Sequence, residues 1–178
     1  MRSTRRLAVL LAVASVVLIA CSSSSSSSRT TTTTKSPFPF DACYVVPAAA
    51  AGALLQGPVG AAAPESTERE DARVSKCRYA QSSDPTREVQ VAVQQQNGQA
   101  VTRDAVIKSL RAEWKDYQVT DVSGVGDAAL FARGPVLSQI AALQGDYFII
   151  VSFPNTVQKD AAVSVAKDAV SRLPRSRR

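Results

Sequence analysis

The chain has 178 residues, with 45% hydrophobic and 20% charged residues, three Cys and no His. That length suits one domain with tails, since domains run to about 100–150 residues, and the missing His excludes Ser-His-Asp and Cys-His catalysis and every His-ligated metal site. The formal charge of +6 sits at the ends: without residues 1–20 the balance is 18 basic against 15 acidic residues, or +3, and without Arg29, Lys35, Arg175, Arg177 and Arg178 as well it is 13 against 15, or −2. A mildly acidic domain lacks the basic footprint of a nucleic-acid binder, so no nucleic-acid partner is expected.

Three Arg in Met1–Arg6 precede an apolar run, Leu7–Ala20, broken only by Ser15. This is the charged start and apolar centre of an export signal. Fourteen helical residues reach only about 21 Å, short of a hydrocarbon core of about 30 Å, so residues 1–20 read as a cleaved signal rather than a membrane span. Leu18-Ile19-Ala20-Cys21 resembles a bacterial lipobox. That resemblance implies cleavage after Ala20, diacylation of Cys21, and attachment to the outer face of the cytoplasmic membrane; two acyl chains anchor stably where one does not. Ser22–Ser28 and Thr30–Thr34 are unbroken runs that offer nothing to bury, so residues 21–37 read as the lipidated Cys and a disordered tether of about 20–24 Å. The Thr run is either a bare linker or a carrier of O-linked sugars.

With Cys21 assigned to lipid, Cys43 and Cys77 form the one possible disulfide, in an oxidising compartment. Their 34-residue separation is no local redox motif, and two thiolates without His or further Cys make a poor zinc site. Neither a metal nor a cofactor is expected.

A single domain is expected over residues 38–174. Pro47–Gln56 reads as a helix stopped by Gly57, and Gly57–Arg73 as an exposed loop. Val74–Gln81 and Arg87–Gln95 form a hairpin: Val89, Val91 and Val93 alternate with polar or small neighbours, and Cys77 shares a face with Tyr79, aiming the disulfide at the helix carrying Cys43. Thr102–Lys115 is a helix whose Val106, Ile107, Leu110 and Trp114 make one stripe. Strands follow at Tyr117–Val122, Ala128–Ala132, Val136–Leu143 and Tyr147–Phe153, the last an aromatic and β-branched run expected at the centre of the sheet. Asn155 or Thr156 caps a final helix reaching Leu173, with a stripe of Val157, Ala161, Val165, Ala169 and Leu173, and Arg175–Arg178 form a basic tail. The order predicts an α+β fold, an antiparallel sheet of consecutive hairpins with helices packed mainly on one face, stapled by one disulfide.

Asp41-Ala42-Cys43 opening the first helix, Cys77-Arg78-Tyr79, Gly124-Val125-Gly126-Asp127-Ala128-Ala129 and the closing Arg172-Leu173-Pro174 resemble actinobacterial lipoproteins of the DUF3558 family, across about Phe40–Pro174. The resemblance implies a surface lipoprotein with a disulfide-stapled α+β domain, and it implies no reaction.

Catalytic chemistry finds little purchase. Gly124-Val125-Gly126 lacks the third Gly of a dinucleotide loop and reads as a tight turn, with Asp127 bonding local backbone amides. Glu65, Glu68, Glu70 and Asp71 lack EF-hand spacing and are interleaved with Arg69 and Arg73, as in a solvated loop. Lys108-Ser109 and Ser75-Lys76 are adjacent pairs whose side chains diverge, so neither is a nucleophile–base dyad. Trp114 and Tyr117 line a ligand pocket or, more simply, pack in the core. The expected role is non-enzymatic, a ligand-binding or envelope accessory module taking a small apolar ligand or an envelope protein. The alternative is a cell-wall hydrolase or transferase using carboxylates alone, with Asp104, Glu113 and Asp116 as candidate acids. That chemistry requires two carboxyls about 5–9.5 Å apart in a cleft; an apolar pocket without them favours binding.

Overall fold

The computed structural model describes residues 40–68, 72–96 and 102–174. The expected signal, Cys21, the tether and the Arg175–Arg178 tail lie outside the described residues. Among the described residues no helix is long and apolar enough to cross a membrane.

The elements run α1 (Ala42–Val45), α2 (Ala48–Leu55), β1 (Ala63–Glu68), β2 (Ala72–Ala80), β3 (Glu88–Gln96), α3 (Arg103–Glu113), β4 (Gln118–Val122), β5 (Ala128–Arg133), β6 (Leu137–Gln144), β7 (Tyr147–Pro154) and α4 (Lys159–Ser171). The seven strands make one antiparallel sheet in the order β1-β2-β3-β7-β6-β5-β4. This is the α+β architecture the sequence predicts, with Tyr147–Pro154 as the middle strand. One part of that expectation fails. The sheet is not built from consecutive hairpins alone: after β3 the chain passes through α3 to the far edge, and β4 to β7 return as a meander that closes on β3. The apolar stripe of α3 drives this excursion, because it has to be buried and finds its floor on β5 and β6.

On the inner face α1, α2 and α4 cover one cluster that includes Leu54, Leu55, Tyr79, Val91, Val151, Ile140, Phe131 and Phe153. On the outer face Leu110 and Trp114 bury against Leu130, Ala132 and Ala141, with Val106, Ile107 and Tyr117 at the margin. Among the described residues, three helices therefore share one face and α3 alone covers part of the other.

Other differences have local causes. Cys43 lies on α1, a separate turn capped by Asp41, whose Oδ1 accepts from the Cys43 N–H at 2.8 Å; Pro47, which has no amide hydrogen to continue that turn, starts α2 instead. The left-handed residue ending α2 is Gln56 (φ 57°), not Gly57. Gly57 instead makes room for a neighbour: a Cβ there would stand 2.6 Å from Gln81 Nε2, so that side chain would have to shift. The expected loop 57–73 contains β1, whose six residues are all exposed. With nothing buried on either face, β1 has no period-2 signature to read. α4 starts at Lys159, later than expected, because the Asn155 side chain bonds the Pro135 carbonyl and its N–H bonds Val136 O at 3.0 Å. Its stripe also turns. Ala161 is exposed while Ala162, Val165, Ala166 and Ala169 are buried, since a strict spacing of four drifts by about 40° per step on a helix of 3.6 residues per turn.

Candidate functional site

Successive inner-face residues of β2 hold the start of the domain. Ser75 Oγ accepts from the Ala42 N–H at 3.0 Å, Cys77 is bonded to Cys43 with Cα atoms 5.1 Å apart, and the Tyr79 hydroxyl is shared between Val46 O at 2.8 Å and Cys43 O at 3.1 Å. Arg172, just past α4, donates to Val45 O at 3.2 Å. Phe40 packs edge-on against Tyr147, centroids 5.5 Å apart. Burial, then the nearby Asp41 carboxylate, raises the Tyr79 hydroxyl above its ordinary pKa of 10.0. The period-2 arithmetic that put Cys77 and Tyr79 on one face correctly aimed the staple.

The candidate catalytic groups are not gathered into a centre. Asp104, Glu113 and Asp116 are all exposed. Asp104 borders a groove of about 520 Å³ beside the β4–β5 turn, together with Asp121 and Asp127, but not with the other two. Asp121 is held at both oxygens by Arg111 Nη2, at 3.0 and 2.8 Å, and Asp127 Oδ2 accepts from the Gly145 N–H at 2.7 Å. Asp127 thus bonds a backbone amide as expected, but one in the β6–β7 turn rather than in its own. Gly124 and Gly126 both have positive φ, and a side chain at Gly126 would collide with the Leu143 carbonyl. Glu68 pairs with Arg73 at 2.9 Å, while Glu70 and Asp71 lie outside the described residues. Ser75 is buried on the inner face, whereas its neighbour Lys76 is exposed on the outer one; Lys108 and Ser109 are both exposed on α3. Trp114 and Tyr117 pack against the sheet, and neither borders the grooves described here.

Two further grooves lie among the described residues. One is a groove of about 340 Å³ on the outer face, where α3 does not reach; Glu65, Lys76, Arg78, Gln90, Gln139 and Ser152 ring it. It is a solvated sheet surface crossed by one internal bond, Gln139 Nε2 to Ser152 Oγ at 3.1 Å. The other is a groove of about 460 Å³ where the end of α2, the turn before β3 and the lead into α4 meet. Its walls are Leu54, Pro154 and Val157, and its polar groups are Gln56, Arg87 and Thr156. This groove has the volume of a small-ligand site, a few hundred Å³, and a small number of polar groups; of its apolar walls Leu54 and Val157 form a nearly buried floor, 2% and 4% exposed, and Pro154 is half-buried. No carboxylate borders it.

Local structure makes this groove rigid. Leu54 and Val157 are rooted in the inner core. Gln56 is the one non-glycine residue with positive φ among the described residues, a conformation that costs about 1–2 kcal/mol. Gln81 Nε2 donates to Leu55 O at 3.2 Å, while its buried Oε1 has no partner among the described residues. Sequence reasoning missed the groove because its residues come from three separated stretches. The only local signal was the Leu54-Leu55-Gln56-Gly57 helix end. No family model matches the chain, and no curated protein or solved structure matches it either.

Proposed function

We propose that the protein is a lipid-anchored, extracytoplasmic, non-enzymatic module that binds a small apolar ligand in the groove between α2 and the lead into α4. The observation that carries this reading is the groove itself, with walls of Leu54, Pro154 and Val157 and no carboxylate at its edge. Anchoring rests on the sequence: Cys21 in its lipobox, the Ser/Thr tether and the export signal. The resemblance to DUF3558 lipoproteins points the same way. Carboxylate catalysis has less support, since Asp121 and Asp127 serve Arg111 and the Gly145 amide.

Native mass spectrometry of the full chain, extracted gently from its membrane, tests the binding reading. A reproducible added mass that leaves on denaturation is the expected result; a clean apo mass would overturn it and direct attention to an envelope protein partner. Anchoring is tested separately by detergent-phase partition, where the wild type should enter the detergent phase with acyl mass on Cys21. A Cys21→Ala chain should carry none.

A further inference from the structure

The same groove contains a charge that its apolar walls do not account for. Arg87 is half-buried at its edge, and its guanidinium makes no hydrogen bond or ion pair with any described residue. An acid within its influence is Asp84, whose Oδ1 is already engaged. Thr86 bonds it through its hydroxyl at 2.6 Å and its amide at 3.1 Å, and these bonds, ahead of any pull from Arg87, hold Asp84 below its ordinary pKa. Exposed ion pairs elsewhere in the domain, such as Arg111 with Asp121 and Arg73 with Glu68, show that acids are placed opposite guanidinium groups where the fold provides them.

The position of Arg87 is fixed by its backbone. Its N–H donates to Asp84 O at 3.0 Å and its carbonyl accepts from the Gln81 N–H at 2.9 Å, so the residue closes the β2–β3 turn from both sides. The guanidinium is thus presented from a rigid turn rather than from a loose loop. The same groove is lined by Leu54, Val157 and Pro154, and by Thr156 and Gln56. A planar fork of donors with no hydrogen-bond or ion-pair partner among the described residues, next to apolar walls, matches a ligand with two unlike ends. Guanidinium binds carboxylate and phosphate with two parallel hydrogen bonds, and such charge-assisted bonds strengthen as water is excluded.

We infer that the ligand is a single-chain amphiphile with an anionic head, its carboxylate or phosphate taken by Arg87 and its chain laid against Leu54, Pro154 and Val157. This rests on the binding function proposed above and adds the chemical class of the ligand and the residue that selects it.

The test uses the full acylated protein in lipid nanodiscs, free of detergent, with short diazirine probes: octanoate, octyl phosphate and octanol analogues carrying the diazirine on the chain. Photolabelled peptides are mapped by mass spectrometry, and unlabelled octanoate or octyl phosphate is used as competitor. The expected result is saturable labelling within 54–56 and 154–157 by an anionic probe, with half-saturation at least about tenfold below that of the octanol probe. That difference should disappear in Arg87→Gln, and the better of the two competitors identifies the head group. Equal labelling of the groove by octanol and by both anionic probes in the wild type would overturn the anionic head while leaving the apolar groove in place. Labelling that does not saturate, or that maps elsewhere, would overturn the groove as a binding site altogether. The comparison of probes on the wild type stands even where Arg87→Gln fails to fold.

Discussion

Through Cys77 the inner face of the sheet reads Val91, Val151, Ile140 and Phe131 in one cross-strand row, buried from β2 to β5. The neighbouring outer row begins at Arg78 and reads Gln90, Ser152 and Gln139 before it becomes apolar at Ala132. The next outer row passes from Lys76 through Ala92 and Ile150 to Ala141 and Leu130. Both outer rows change character where α3 begins to cover them. One sheet thus has a face finished by three helices and a face finished by one helix and water. The difference follows from supply: among the described residues a single amphipathic helix is left for the outer side, and α3 packs over the β5 and β6 part of it.

The largest effects belong to the inner face. Phe153→Ala, at a site with 0% exposure, should cost about 3–5 kcal/mol, measured by denaturant unfolding with an unchanged m-value. If the loss is no greater than that for an outer-row substitution, the contrast between the faces collapses. Replacing Cys43 and Cys77 together by Ser should cost about 3–4 kcal/mol, from reopening a loop of about 35 residues in the unfolded chain, and comparison of oxidised with reduced wild type checks it independently.

Tyr79→Phe is expected to be smaller, about 1 kcal/mol, as the Val46 and Cys43 carbonyls lose a donor. It also has a pH signature. Folding raises the Tyr79 hydroxyl above 10.0 through burial and Asp41, and Tyr147 is raised by burial and Asp146. In that range the unfolded chain binds fewer protons than the folded one, so stability holds below about pH 10 and falls as pH rises through the folded-state values. Tyr79→Phe should make that alkaline fall shallower, read as the slope of unfolding free energy between about pH 9.5 and 11. The smallest effect belongs to the open half of the outer face. Gln90→Ala should change stability by no more than about 0.5 kcal/mol, and a larger loss would mean that this half is covered after all.

Features carried by local pattern were legible in the sequence. The Val89, Val91, Val93 alternation placed β3 and its buried face; Cys77 and Tyr79 placed the staple; Leu110 and Trp114 placed the stripe of α3; and Tyr147–Phe153 announced the central strand. Each rests on a period of 2 or 3.6 that side chains must obey whatever the surrounding fold. Other features had no local trace. β1 exists because β2 offers it an edge, and the order that sends β4 to the far side of the sheet exists because α3 needs a floor. The groove at Leu54, Arg87 and Val157 exists only where three distant segments converge. Local pattern specifies which face of a segment is apolar; which other segment covers that face is decided by packing the whole chain at once.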